Sequence, residues 1–178
     1  ISFCLAAMLV ALPAQAARLQ FCWIGANGYT MEGIIGFPET LLGTGIITEK
    51  QVTEFRIQGY HEGLPIGFWS LSMLTPETSW TLRFDTDSLA FPMGGSRAQQ
   101  TYQEWNANGE VNDCGAAGGF GFNGGNWAQA LCIDQTWIPD SSVAPFTPLA
   151  AFGMDGRRNR DAPLSHRSAH HHHRPLPH

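Results

Sequence analysis

The two-residue alternation of apolar and polar side chains is the feature that most constrains this fold. In residues 52–60 (VTEFRIQGY), Phe55 and Ile57 alternate with charged and amide side chains. Residues 80–85 (WTLRFD) repeat the pattern, with a large apolar side chain at every second position. Because successive side chains of a strand point to opposite faces, the alternation predicts strands with one face in a core and the other in solvent.

Short segments of this kind recur along residues 18–134, separated by Gly, Pro and Asn. Residues 18–25 and 29–37 are the first two, and Asn27-Gly28 between them is a hairpin-turn dipeptide. Residues 96–105 are the best helix candidate, with a loop that leads into a strand as the alternative. The chain is therefore predicted to be all-β, an antiparallel sandwich or barrel of short strands.

Residues 1–17 have the features of a secretory signal peptide. They carry no charge, residues 2–12 form an apolar run that ends at Pro13, and Ala14-Gln15-Ala16 is a small-x-small cleavage site. The run is shorter than the about 20 residues that a membrane-spanning helix needs. We therefore expect a protein that is secreted or lies in the cell envelope, with no transmembrane segment in the mature chain.

Composition divides the remaining chain into three parts. Residues 18–140 are predicted to form a β-rich domain, residues 141–152 a linker, and residues 153–178 a disordered tail rich in Arg, His and Pro that is either genuine or read out of frame. The formal net charge is −5, and half of the Lys and Arg lie in the tail, so the domain itself is strongly acidic. An acidic domain excludes nucleic acid as an expected partner.

The cysteines predict a disulfide in an oxidising compartment. Removal of Cys4 with the signal peptide leaves Cys22, Cys114 and Cys132. The pair Cys114–Cys132, which brackets a Gly-rich segment, is the first choice, and Cys22–Cys132 is the alternative. Either pairing leaves one thiol over, and three cysteines without a nearby His do not make a zinc site.

Motifs with known chemistry are weak throughout, and no catalytic residue, metal site or cofactor is predicted. Residues 119–124 (GFGFNG) match a dinucleotide fingerprint but lack the strand–helix context. Residues 85–88 (DTDS) are predicted to be a turn rather than a calcium loop, and His61 a solvent-exposed turn residue. His170 to His173 are assigned to the charged tail and not to a metal site. Four adjacent His in a disordered segment lack the neighbouring residues that would hold their rings in a metal-binding orientation.

Tryptophans supply the candidate binding residues. Trp23 and Trp80 lie in predicted strands and are assigned to the core, whereas the placement of Trp69 is ambiguous. Three others lie next to turns and Gly-rich loops, where aromatic rings can form platforms for sugar rings or protein partners, with core packing as the alternative for each. The predicted ligand-binding residues are Trp105, Trp127 and Trp137.

The body resembles secreted bacterial proteins of the exosortase-sorted, PEP-CTERM type. The resemblance lies in the Gly-punctuated segments 29–33, 55–57 and 80–84 behind a signal peptide. Such proteins end in a Val-Pro-Glu-Pro-like motif, an apolar helix and a basic cluster, and this chain has no such apolar helix. The resemblance implies an extracytoplasmic location and no particular activity.

These observations favour a non-catalytic extracellular or envelope β-domain with a binding or matrix role. The expected partners are a polysaccharide or another envelope protein. One alternative is a secreted hydrolase whose carboxylates, among Glu54, Glu104 and Glu110, converge only in the fold. The other is a surface-layer or biofilm component that assembles with itself.

Overall fold

The computed structural model describes residues 15–108 and 114–154, and within them the chain forms two antiparallel β-sheets. In chain order the strands are β1 (Ala16–Ile24), β2 (Tyr29–Pro38), β3 (Ile46–Thr48), β4 (Glu54–His61), β5 (Leu64–Ser70), β6 (Trp80–Thr81), β7 (Arg83–Asp85), β8 (Ala90–Phe91), β9 (Gln103–Trp105), β10 (Phe120–Gly124), β11 (Gln129–Ile133), β12 (Thr136–Val143) and β13 (Leu149–Gly153). Single 3₁₀ turns occupy Glu39–Leu41, Leu71–Met73 and Arg97–Gln99. The predicted all-β class is confirmed.

The strand order shows how the two sheets are built. The larger sheet has eight strands in the order β3-β7-β8-β13-β1-β2-β4-β5, and the smaller has five in the order β12-β11-β10-β9-β6. The inner faces of both contribute to one hydrophobic core. None of the helical turns in the described ranges is long or apolar enough to cross a bilayer.

Alternation decides which face of each long strand is buried. In β1 the side chains of Leu19, Phe21 and Trp23 are buried, whereas Cys22 and Ile24 are exposed. The predicted Asn27-Gly28 turn is present, and both residues have positive φ, 48° and 78°. Two such residues suit a two-residue hairpin because their twist matches that of the flanking strands.

Aromatic rings fill the space between the sheets. The Trp105 ring lies 4.8 Å from the Phe55 ring and 4.8 Å from the Phe122 ring, measured between centroids. Phe21 and Phe91 complete the cluster at 5.6 and 5.1 Å from Trp105. Because Phe21 and Phe55 belong to the larger sheet and Trp105 and Phe122 to the smaller, this cluster holds the two sheets together.

Glycines make room for the aromatic rings. Gly59 on β4 and Gly67 on β5 are directly opposite each other, and the Phe120 side chain of β10 lies against both. A Cβ on Gly59 would approach Phe120 Cε2 to 2.2 Å. The smaller sheet can therefore approach β4 and β5 closely only because these two positions lack a side chain.

Cys114 and Cys132 form a disulfide, as predicted, and Cys22 is free and exposed. The pair lies 18 residues apart in sequence and its Cα atoms are 5.8 Å apart. Both cysteines are buried against Ala107, and Trp137 packs on the same cluster. The disulfide ties the segment before β10 to β11 of the smaller sheet.

Three predicted boundaries need correction. Residues 141–152 are not a linker, because they contribute the end of β12 and most of β13, and β13 pairs with β1 and β8. Ala16 and Ala17, assigned to the signal peptide, belong to β1 and pair with β2. Residues 96–105 contain only a 3₁₀ turn followed by β9, which is the loop-to-strand alternative.

Other predicted segments lie outside the described residues. These are residues 1–14 of the signal peptide and residues 155–178 of the tail, including its His run.

The acidic turn behaves as predicted: Asp85 accepts hydrogen bonds from the Ser88 hydroxyl at 2.7 Å and the Asp87 N–H at 3.0 Å. These bonds, that of Ser88 first, lower the pKa of Asp85.

Replacement of Gly59 by Ala should lower the free energy of unfolding by about 2 kcal/mol, because the new methyl group overlaps the Phe120 ring. Gly153→Ala is the matched control: no atom lies within 4 Å of its added Cβ, so the change should stay within about 0.5 kcal/mol. Urea denaturation of both variants measures the difference. Equal destabilisation by the two substitutions would contradict the close approach of the sheets.

Loss of the disulfide should lower the free energy of unfolding by about 3 kcal/mol, because closing a loop of this length lowers the conformational entropy of the unfolded chain by an equivalent amount. Urea denaturation of the oxidised protein, the reduced protein and Cys114→Ala/Cys132→Ala tests this. The control Cys22→Ala removes only an exposed thiol and should unfold like the parent protein. An unchanged midpoint after reduction would be inconsistent with the Cys114–Cys132 pair.

Candidate ligand-binding site

The three predicted binding tryptophans do not form one surface. Trp105 is 0% exposed and lies at the centre of the aromatic cluster, so its assignment to a binding platform is wrong. It follows two buried residues on β9 and precedes two more, Asn106 and Ala107, so the turn signal after it marks a buried bend. Trp105 therefore packs in the core, which was the alternative to a binding role for each of the three tryptophans.

Trp127 and Trp137 lie at opposite ends of β11. Trp137 is paired with Cys132 and half-buried against the disulfide. Trp127 is 78% exposed in the turn between β10 and β11. It remains a candidate contact residue, because an exposed indole on a short turn can stack on a ligand without rearrangement of the core.

A second exposed aromatic residue belongs to the same region as Trp127. Phe146, in the turn between β12 and β13, is 70% exposed. The buried Gln129 amide donates to the Pro145 and Thr147 carbonyl oxygens at 2.9 and 2.7 Å, and its Oε1 accepts a hydrogen bond from Trp23 Nε1 at 2.8 Å. The turn that carries Phe146 is therefore fixed to β11, two residues after Trp127.

A larger concave surface lies on the outer face of the eight-stranded sheet. It is a trough of about 580 Å³ across β13, β1, β2, β4 and β5. That volume is within the range of ligand-binding sites in proteins. Its lining side chains include aromatic, amide, charged and thiol groups: Gln20, Cys22, Glu32, Ile34, Arg56, Gln58, Tyr60, Phe68 and Phe152.

Strand register places these side chains in two rows. One row crosses the sheet through Phe152, Gln20, Ile34, Arg56 and Ser70, and the next through Cys22, Glu32, Gln58 and Phe68. With about 4.8 Å between strands, the five strands span about 19 Å. The trough therefore has the length of an extended chain of several units rather than that of one compact molecule.

Apolar groups mark the ends and the floor of the trough. Phe152 on β13 and Phe68 on β5 are 41% and 43% exposed, which is high for phenylalanine on a sheet. Ile34 between them is only 7% exposed, since the longer side chains of Gln20 and Arg56 are its cross-strand neighbours. A ligand would meet an apolar floor between two aromatic rings.

Polar groups in the trough are available to a ligand. Neither Glu32 nor Arg56 forms an ion pair or side-chain hydrogen bond with another residue of the described ranges. The side-chain amide of Gln58 donates hydrogen bonds to the carbonyl oxygens of Gly67, at 2.6 Å, and Gly59, at 3.1 Å. Its side chain is therefore held in place, with the carbonyl oxygen left as an acceptor.

Cys22 lies in the same trough, opposite Glu32. Although the residue is exposed, partial burial of its thiol in the trough and, second, the negative charge of Glu32 raise the pKa of Cys22. A thiol with a raised pKa holds less thiolate at neutral pH, and the thiolate is the reactive form. The arrangement disfavours Cys22 as a nucleophile. Its side chain is instead a small, weakly polar part of the trough wall.

Two of the three carboxylates considered for a hydrolase, Glu54 and Glu104, lie on different sheets with different partners. Glu54 lies on the larger sheet, where Arg18 donates hydrogen bonds to both of its oxygens at 2.6 and 2.7 Å; this contact lowers the pKa of Glu54. Glu104 is buried on β9 of the smaller sheet and accepts from the Thr81 hydroxyl at 3.1 Å. Glu110 lies outside the described residues.

The remaining motifs have structural roles where they are described. Residues 120–124 of the fingerprint match form β10, whose five residues are all buried, and the next described element is the strand β11 rather than a helix. The His61 ring stacks on the Tyr29 ring with centroids 4.0 Å apart at the start of a hairpin turn. Within the two described ranges, no group of three His, Cys, Asp or Glu side chains is arranged to hold a metal ion.

Alkylation of Cys22 tests the electrostatics of the trough. In a Cys4→Ser chain, iodoacetamide should modify Cys22 more slowly than an unstructured cysteine peptide at neutral pH, because burial and Glu32 disfavour the thiolate. Glu32→Gln should shift the pH profile of the rate to lower pH. The exposed Glu77→Gln, remote from Cys22, is the control, and an equal shift in both variants would argue against a Glu32 effect.

The chain matches no protein-family model, and no curated protein or solved structure is similar to it at a significant level.

Proposed function

We propose that the protein is a non-catalytic, extracytoplasmic binding domain that holds a neutral polysaccharide chain in the trough on the eight-stranded sheet. The single observation that carries this proposal is the co-location of exposed aromatic rings with unpaired polar side chains along an extended concave surface. The predicted signal peptide and the Cys114–Cys132 disulfide support the extracytoplasmic location, since disulfides persist in oxidising compartments.

Sugar chemistry fits the side chains of the trough. A pyranose ring has apolar C–H faces that pack on aromatic rings, such as those of Phe68 and Phe152, and equatorial hydroxyls that need donors and acceptors. Arg56 supplies several donors in a planar group, and the Glu32 carboxylate accepts only. The trough thus offers one cationic and one anionic side chain, whose formal charges cancel, so it has no net charge that would favour a charged ligand over a neutral one.

Rigidity of the trough also supports binding. All of its lining residues belong to hydrogen-bonded strands whose inner side chains are packed in the aromatic core. A surface that is already ordered loses little conformational entropy when a ligand binds. A flexible polysaccharide itself loses conformational entropy when it binds. A preformed surface adds little to that loss, so it favours binding of such a ligand.

Retention of the secreted domain on a panel of insoluble polysaccharides, such as cellulose, chitin and xylan, tests the proposal. Selective retention on at least one of them is expected. Phe68→Ala and Phe152→Ala should each weaken binding about fivefold, because loss of one stacked ring removes about 1 kcal/mol. Both side chains point away from the core, so the urea midpoint should stay close to that of the parent.

Phe146→Ala is the matched control, since it removes an even more exposed phenylalanine outside the trough. It should bind like the parent protein, and Trp127→Ala should do the same. If only these two variants lost retention, the binding site would lie on the exposed turns and not in the trough. No retention on any polysaccharide would contradict the proposal, and light scattering would then test self-assembly as the alternative.

A further inference from the structure

The two most exposed aromatic side chains of the described residues lie on neighbouring turns. Trp127, in the turn between β10 and β11, is 78% exposed, and Phe146, in the turn between β12 and β13, is 70% exposed. Gln129, two residues after Trp127, pairs with Val143, three residues before Phe146. Both rings therefore lie at the same end of the β11–β12 pair.

The segment that follows β8 joins these two turns. A Cβ added to Gly94 would approach Phe146 Cδ1 to 2.2 Å, so the Phe146 ring lies against this segment. A Cβ added to Gly124, the last residue of β10, would approach Met93 Cε to 2.9 Å, so the same segment also contacts the start of the Trp127 turn. These contacts make one continuous surface, which we call the aromatic tip, of residues 92–95, 125–128 and 144–148.

The aromatic tip contains no charged residue. Its three segments read PMGG, GNWA and APFTP. Removal from water costs far more free energy for a charged side chain than for an uncharged one. A surface of this composition can therefore leave water at low cost.

Backbone polar groups of the Phe146 turn are hydrogen-bonded within the protein. The Ala144 carbonyl accepts from the N–H of Thr147 at 3.1 Å and from its hydroxyl at 2.8 Å. The Pro145 and Thr147 carbonyls accept from the buried Gln129 amide, and the two prolines of the turn have no N–H. Because unpaired backbone groups are costly in an apolar phase, this internal pairing suits the turn to a partner that offers no hydrogen bonds.

A lipid surface fits these features better than a protein surface does. Rings that protrude from turns need matching pockets in a protein partner, because binding hot spots lie in well-packed, desolvated pockets. The headgroup region of a bilayer accepts protruding rings without such pockets, and indoles accumulate there. The domain is strongly acidic, and an anionic leaflet would repel it, so headgroups without net charge fit best.

We propose that the aromatic tip is a docking surface for a bilayer with zwitterionic headgroups, in which the Trp127 and Phe146 rings enter the headgroup region. No residue of the tip lines the trough. Membrane docking and polysaccharide binding therefore use separate residues, and the one does not depend on the other.

Fluorescence quenching by brominated lipid tests the inference. The secreted protein is mixed with phosphatidylcholine vesicles whose acyl chains carry bromine near the headgroups, with unbrominated vesicles as the reference. Residues 1–17 contain no Trp, so an attached signal peptide contributes no fluorescence. Quenching should rise with lipid and saturate. Trp127→Phe should remove most of it, because the other five Trp side chains are buried or half-buried.

Cosedimentation with the unbrominated vesicles measures the affinity. Trp127→Ala and Phe146→Ala should each weaken vesicle binding about tenfold, because one ring no longer becomes buried from water. Phe152→Ala is the matched control, since it also removes an exposed phenylalanine, but one that lines the trough. It should bind vesicles like the parent protein and weaken polysaccharide retention, whereas the two tip variants should show the reverse.

Absence of saturable quenching, or equal vesicle binding by the parent and both tip variants, would overturn the inference. So would binding to phosphatidylglycerol vesicles only, since the five Arg of residues 153–178 would then account for it. Loss of vesicle binding in Phe152→Ala would also contradict it, because the trough would then be involved. If no polysaccharide retains the protein, vesicle binding still decides this inference.

Discussion

The close contact between an aromatic ring of one sheet and bare backbone of the other is the constraint on which the structure depends. Phe120 of the smaller sheet lies on the Gly59–Gly67 pair of the larger one. This contact sets the distance between the sheets, and that distance allows Trp105 and Phe122 to pack against the larger sheet. The abundant glycines of this chain are thus partly a requirement of the core and not only turn residues.

The fold class could be predicted from the sequence, because alternation is a local property of each strand. Val52 to Tyr60 shows it most clearly, and β4 occupies nearly the same residues. The linker prediction failed because Pro145 and Pro148 are turn signals that carry no information about the segment after them. Leu149 and Ala151 alternate with exposed residues, but a strand of five residues is too short for its alternation to stand out.

The candidate sites were less predictable, for a physical reason. Each trough residue occupies the outward position of an alternating strand, and taken singly it resembles an ordinary solvent-facing side chain. Only strand pairing brings Phe152 of β13 next to Gln20 of β1. A position next to a turn or a Gly-rich loop, the basis for predicting binding tryptophans, does not distinguish Trp105 in the core from Trp127 at the surface.

The position of β13 has a consequence for how the molecule folds. This strand joins two parts of the larger sheet, β3-β7-β8 and β1-β2-β4-β5, which have no other strand between them. During folding, the edges of β1 and β8 that face β13 stay unpaired until residues 149–153 have added to the sheet. Unpaired edges recruit other strands and promote aggregation. The folding chain is therefore most vulnerable before β13 adds to the sheet, and it acquires its complete trough only with that strand.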